Sequence, residues 1–285
     1  MKHIGIICAM PVEIAPFTQA LEITDDGWNG AVRFWQGTYA DKQITLVQSG
    51  VGKVFAAAAA QMVLTQFAPE ALFSCGTAGS LDPHAQIGAI IVGAQTVQHD
   101  YGFLTPQALI HFGCQFRRPD HAAEFSKEFP ANPELLRLAQ TLKAPETDGW
   151  PICCGTIVSG DQVILATEKR QGLAEQFHAL AVDMESAALA QVAYMHAAPF
   201  LAIRGISDHA DELLPIDPAQ LDPNEFGGYA AATRGEKISL LTKALKYFAQ
   251  HPAAFALSYQ ARRNIKKAAR RAAAFTLQLI RSLPD

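Results

Sequence analysis

Short apolar runs that stop abruptly at a polar turn recur along the chain, with helical patterning between them, and this alternation limits the possible folds most. His3–Cys8 gives way to Ala9-Met10-Pro11, and Ala71–Cys75 to Gly76-Thr77-Ala78-Gly79. Ile152–Val158 stops at Ser159-Gly160-Asp161, and Phe200–Ile206 at Ser207-Asp208. Such runs read as buried strands, and Ile87–Val97 is a further long apolar run. Arg33–Gln36 and Gln43–Gln48 read as two more strands about the turn-like Ala40-Asp41-Lys42. Pro11 suits a first helical turn, where its missing N–H costs nothing, so a helix is expected over Val12–Leu21. Further helices are expected over Val54–Phe67, Pro133–Leu142, Met184–His196, Lys237–Gln250 and Ala261–Arg281. The stretch Asp100–Trp150, rich in Pro, His and Phe, otherwise reads as loops. Strands alternating with helices, with no internal repeat or low-complexity linker, indicate one α/β domain. Open α/β sheets hold ligands beyond the carboxyl ends of their strands, where these polar sequences fall.

The remaining composition narrows the class. With 49% hydrophobic and 18% charged residues in a chain of 285, disordered, collagen-like and coiled-coil classes are excluded. A chain of this size buries about three quarters of its unfolded surface and needs no covalent staples. The five cysteines, Cys8, Cys75, Cys114, Cys153 and Cys154, are odd in number and lack C-x-x-C spacing. Reduced thiols in a cytoplasmic setting, with no zinc framework, are expected. Met1–Met10 holds one Lys before a short apolar run, which is not the pattern of a signal peptide. The most apolar long window, Phe55–Phe73, is broken by Gln61, Gln66, Pro69 and Glu70. It falls short of the ~18 uninterrupted apolar residues of a membrane span.

Charge is unevenly spread. The net charge is −4, yet His251–Asp285 carries seven Lys and Arg against one acid. The preceding 250 residues therefore hold 16 basic and 26 acidic side chains, a poor match for general nucleic-acid binding. Arg262-Arg263, Lys266-Lys267 and Arg270-Arg271 recur every four residues and form one basic face. Ile265, Ala268, Ala272, Phe275 and Leu279 supply an apolar side. The tail, 251–285, reads as a basic amphipathic helical extension of a 1–250 domain. It either packs on the acidic body or a second subunit, or meets an anionic membrane surface or partner.

Four segments carry candidate chemistry: Ala9–Glu13, Gly76–Gly79, Val182–Glu185 and Arg204–Asp208. Singly, each has a plain structural reading. A Gly-rich stretch after a strand is commonly only a turn. Glu13 in a first helical turn favours the helix dipole, and Asp208 could cap a helix. Glu185 is harder to set aside, because a carboxylate between Met184 and Ala187-Ala188 is expected to be partly buried and must then be paired or bind something.

Together and in order, IGIICAMPVEI at 4–14, SGVGKV at 49–54, CGTAGSL at 75–81, VSGD at 158–161, VDMES at 182–186 and IRGISD at 203–208 resemble one group. It is the nucleoside phosphorylase and nucleosidase superfamily, and within it most nearly the bacterial 5′-methylthioadenosine/S-adenosylhomocysteine nucleosidases. The resemblance spans about the first 250 residues and leaves out the basic tail. It implies a single α/β domain with a central mixed twisted sheet flanked by helices, a homodimer, and a nucleoside and water as reactants, without metal or cofactor.

For the site, the resemblance implies hydrolysis of an N-glycosidic bond in an adenine nucleoside. Asp208 would be the acid that protonates the departing purine, which requires a carboxyl still protonated near neutral pH. Glu185 would hold the ribose hydroxyls and favour the oxocarbenium charge, with Met184 packed on the sugar face. Glu13 would activate the attacking water, assisted by Arg204 and Thr77. Ser207 would orient Asp208, and the backbone around Val163 and Ile164 would read the base edge. Val163 stands where the family usually has an aromatic, and Thr77 where it usually has Ser. Phosphorylase relatives clamp phosphate with arginines, one just before the Gly-Ser turn. Here Phe73, Ser74 and Cys75 precede Gly76, and Glu13 would repel phosphate, so water is the expected nucleophile.

The alternatives are a futalosine-type hydrolase, a phosphate-dependent phosphorylase, and a non-catalytic nucleoside-binding or storage protein. Retention of Glu13, Glu185 and Asp208 together weighs against the last. His99-Asp100 and His209-Ala210-Asp211 lack paired metal-ligand spacing. Ser49–Lys53 lacks the frame of a phosphate loop and reads as a tight strand-to-helix turn.

Overall fold

The expected alternation is realised, with several elements longer than their apolar runs. A computed structural model describes residues 1–106, 109–117, 123–143, 149–210 and 252–284. It begins with β1 (His3–Cys8), α1 (Pro11–Ala20), β2 (Glu22–Asn29), β3 (Val32–Tyr39) and β4 (Lys42–Gln48). Then come α2 (Lys53–Met62), β5 (Ala71–Ser80) and β6 (Ile90–Gln98). Five short strands follow: β7 (Gly102–Leu104), β8 (Leu109–His111), β9 (Cys114–Phe116), β10 (Glu124–Ser126) and β11 (Phe129–Pro130). The chain continues through α3 (Pro133–Thr141), β12 (Ile152–Ser159), α4 (Thr167–Phe177), β13 (Ala179–Asp183), α5 (Ser186–Met195) and β14 (Phe200–His209). The last helix, α6, spans Pro252–Ser282. The helix expected over Lys237–Gln250 lies outside the described residues.

The stretch Asp100–Trp150, expected as loops around its helix, also holds the five short strands β7–β11, each only two or three residues long and too short to show a period. Three further elements escape the sequence pattern. β2 is polar and almost wholly exposed, so no apolar period marks it; its pairing with β3 makes it a strand. β13 is only five residues long, and α4 has too polar a surface for a clear stripe. At the β3–β4 hairpin, Ala40 and Asp41 both take positive φ, as a two-residue turn matched to strand twist requires.

The strands form a ten-stranded mixed sheet in the order β11-β6-β12-β13-β5-β1-β4-β3-β2. β14 lies off that path, parallel to β5 and antiparallel to β6. Because β6 also pairs β12, and β13 pairs both β12 and β5, these five strands close on themselves. Closure removes edges and crowds the ends of β5, β13 and β14 together. The main core lies between the sheet, α1, α3 and α6. Ile4, Phe17, Phe73, Ile203, Phe275 and Leu279 are among its buried members. The basic tail is thus rooted by its apolar side, with Ala268, Ala269, Ala272 and Ala273 buried. A Cβ on Gly205 would stand 2.3 Å from the Ala268 carbonyl oxygen, so β14 and α6 touch backbone to backbone. No described helix is long and apolar enough to cross a membrane.

Candidate active site

One glycine-rich sequence after an apolar run is strand rather than turn. Gly76–Gly79 continues β5 and pairs with β14, Arg204 lying opposite Gly76 and Gly205 opposite Thr77. The register slips between Ile206 and Asp208, leaving Ser207 as the extra residue of a bulge. Bulges re-aim the side chains beside them, and this one sets Asp208 opposite Gly79. A Cβ on Gly79 would come within 3.1 Å of Asp208 Oδ2, so the glycine makes room for the carboxylate. The Ser207 hydroxyl lies 2.5 Å from Asp208 Oδ1 and 3.3 Å from the Ala78 carbonyl. Asp208 itself is half-buried.

Glu13 is held through both of its oxygens. Oε2 accepts the backbone N–H groups of Ala9 at 3.1 Å and Met10 at 3.0 Å, closing the first turn of α1. Oε1 accepts the Thr77 N–H at 2.7 Å and its hydroxyl at 3.0 Å. Four donors on a buried carboxylate hold it rigidly as an acceptor. Gly76 is needed here too: a Cβ would stand 2.7 Å from Glu13 Oε1 and 2.4 Å from Arg204 Nη1.

Glu185 is not within the helix expected from Met184 but in the bend before it, since α5 starts at Ser186. Its Oε1 accepts the Gly52 N–H at 2.9 Å, and Oε2 lies 3.8 Å from Arg204 Nη2. Gly52 takes φ +102°, so the Ser49–Lys53 turn aims a backbone donor that only glycine delivers easily. Burial, and then the Asp183 charge, push the Glu185 carboxyl up to about 7. Arg204 is buried, which opposes its charge, but Asp183, Glu185 and Glu13 more than compensate and raise it above the ordinary arginine value.

The remaining candidates are placed less uniformly. Thr77 and Met184 are half-buried, Met184 standing directly beside Glu185 in the chain. Ile164 is buried against Leu81, Val158, Val182 and Ala210, two residues beyond Asp208. Val163, by contrast, is 64% exposed. Their loop is tied to the Ser49–Lys53 turn: Asp161 Oδ1 accepts the Lys53 N–H at 2.9 Å, and Lys53 Nζ reaches Asp100 at 2.5 Å. Sequence reasoning missed Asp183, Ser159, Ser186 and Ser74, all of which contact Arg204 or its partners. An arginine inside an apolar strand was the available signal, because a buried cation must find partners.

The family model for the phosphorylase superfamily matches residues 3–246. The chain belongs to the phosphorylase superfamily. A 5′-methylthioadenosine/S-adenosylhomocysteine nucleosidase of Staphylococcus epidermidis is 32% identical over 243 residues, covering 85% of this chain and all of the relative. One from Baumannia cicadellinicola is 34% identical over 211 residues, covering 74% of this chain and 87% of the relative. Among solved structures, the Neisseria meningitidis nucleosidase in complex with methylthio-immucillin-A superposes with TM-score 0.72 at 24% identity, covering 99% of this chain and 100% of that one. A Helicobacter pylori futalosine hydrolase superposes with TM-score 0.71 at 24% identity, covering 99% and 98%. Each superposition covers nearly the whole chain, whereas the family-model match ends at residue 246.

Proposed function

We propose that this superfamily member is an N-glycosyl hydrolase that releases free base from an adenine nucleoside such as 5′-methylthioadenosine or S-adenosylhomocysteine. The observation that carries this reading is Glu13, buried, held by four donors, and separated from Arg204 by nothing larger than Gly76. A fixed carboxylate there suits a water that must lose a proton and repels phosphate. Arg204 stands across Gly76 from it, and its bonds to Asp183, Ser186 and Ser74 commit it to protein groups rather than to a bound anion. Asp208, steadied by Ser207, donates the proton to the purine as the glycosidic bond breaks. Glu185, on the Gly52 N–H, accepts from the ribose hydroxyls and stabilises the oxocarbenium charge. Met184 lies against the sugar, Thr77 holds Glu13, and the backbone at Val163 and Ile164 meets the base edge.

Base release from 5′-methylthioadenosine, S-adenosylhomocysteine, futalosine, adenosine and inosine, each with and without phosphate, tests the reading. Phosphate-independent release of adenine and free sugar is expected. Fastest release from futalosine would reassign the substrate, and release only with phosphate would reassign the nucleophile.

The same reading includes a cytoplasmic homodimer. Val51, Val54 and Phe55 are exposed at the turn that serves Glu185, and Phe103, Leu104 and Ile110 are exposed on the β7–β8 hairpin. Apolar exposure of this extent favours a second copy as its cover. The exposed Arg262, Arg263, Lys266, Lys267 and Arg270 on α6 suit contact with an anionic membrane surface or partner. Sedimentation with vesicles containing phosphatidylserine, but not with neutral ones, is the expected result.

A further inference from the structure

We propose that Asp183, seated on the hydroxyls of Ser159 and Ser186, is a positioning residue for the hydrolysis, aiming the Arg204 guanidinium between Glu185 and Glu13. The inference rests on the nucleosidase reading and deepens it.

Asp183 ends β13, buried, and both of its oxygens are fully engaged. Oδ1 accepts from the Ser159 hydroxyl and from the N–H groups of Glu185 and Ser186, each at 3.2 Å. Oδ2 accepts from the Ser186 hydroxyl, the Ser186 N–H at 3.2 Å and Arg204 Nε at 2.5 Å. The supports are fixed in turn. Ser159 Oγ accepts the Ala187 N–H at 2.9 Å, and Ser186 Oγ lies 3.1 Å from Arg204 Nε. One carboxylate therefore caps the start of α5, which carries Glu185 at its lip, and holds the Nε edge of the arginine.

With Nε pinned, the planar guanidinium can point its other nitrogens only one way. Nη2 donates to Ser74 Oγ at 2.9 Å and stands 3.8 Å from Glu185 Oε2. Nη1 faces Gly76, whose missing Cβ would also meet Glu13 Oε1. One cation thus serves three carboxylates, and Asp183 decides how it is shared. Without the Asp183 charge, Arg204 is free to close on Glu185, and Glu185 also loses a like-charged neighbour. Both changes favour ionised Glu185 at lower pH, while the arrangement at Glu13 is disturbed.

The test is kcat and KM for 5′-methylthioadenosine between pH 5 and 9, in wild type, Asp183→Asn, Asp183→Glu and Ser186→Ala. Asp183→Asn is expected to lower kcat about 10- to 100-fold with KM changed less than about threefold, as misplacement near the reacting atoms does. The acid limb of its kcat/KM profile should move down by about one pH unit. Ser186→Ala should show a smaller change in the same direction, and Asp183→Glu should recover part of the loss. A merely structural residue would reduce the folded fraction and leave the limb in place. An active wild type whose folded Asp183→Asn variant keeps kcat and the limb overturns the proposal alone. If Asp183→Asn does not fold, Ser186→Ala decides, and wild-type behaviour in it overturns the proposal. A wild type that releases base from no nucleoside removes the nucleosidase reading, and this inference with it.

Discussion

At the scale of single residues, the site is a small set of carboxylates that differ in what surrounds them. Asp208→Asn removes a transferable proton while keeping size and most hydrogen bonding. Turnover should fall by about 10²- to 10⁴-fold, with nucleoside affinity by calorimetry within a few-fold of wild type; an active variant would reject Asp208 as the acid. Glu185 differs because burial and Asp183 lift it from 4.5 to about 7. The folded state therefore binds this proton more tightly than the unfolded chain. Its contribution to stability is fully present below about pH 4.5 and is lost as pH rises through 7. Glu185→Gln lacks that loss. Urea unfolding of the pair from pH 4.5 to 8 should show the variant gaining on wild type by on the order of 3 kcal/mol over the interval. A constant difference would show that Glu185 ionises normally. The same variant should be far less active, trading the site for stability.

At the scale of elements, close approach governs. β14 and α6 meet where Gly205 faces the Ala268 carbonyl at a distance no Cβ tolerates. Gly205→Ala must push the helix away, losing about 1–3 kcal/mol or more to overpacking. Gly172, on the exposed surface of α4, has nothing within 4 Å of its virtual Cβ. Gly172→Ala should stabilise by about 0.5–1 kcal/mol, since the backbone loses less freedom on folding. The same chemical change therefore has opposite signs at the two positions, measurable by urea midpoints. The bulge at Ser207 is the other element-level device, because it lets a paired strand deliver Asp208 without ending the ladder.

At the scale of the whole molecule, the described tail and body are one packed unit. Phe275, Leu279, Ile280 and Leu283 share the main core with β1 and β5 residues. Ending the chain at 250 would uncover Phe73, Cys75 and Ile203, and such a chain is expected to be insoluble or to lack a cooperative unfolding transition. A soluble, cooperatively folding 1–250 fragment would support an independent domain with an accessory tail. For the apolar surface near the site, Val54→Asp combined with Phe55→Asp should shift a dimer toward monomer in analytical ultracentrifugation. A wild type already monomeric at micromolar concentration would remove the homodimer from the reading.

The sequence alone was sufficient for the class of fold, which depends on local patterns, while the candidate site residues came from several motifs taken together in order. Apolar runs that end in Gly-Thr-Ala-Gly or Ser-Asp announce buried strands, and Glu13, Glu185, Arg204 and Asp208 stand in recognisable surroundings. It could not show that Gly76–Gly79 is strand, because strand partnership with β14 decides that, not the glycines themselves. Nor could it show that Asp183 is the residue on which Arg204 rests, since 21 positions separate them in the chain. The closure of the sheet through β14, the bulge that turns Asp208 and the sharing of one guanidinium among three carboxylates exist only after distant strands have met. Each depends on the charges and backbone groups a neighbour supplies, and those neighbours are set by tertiary structure.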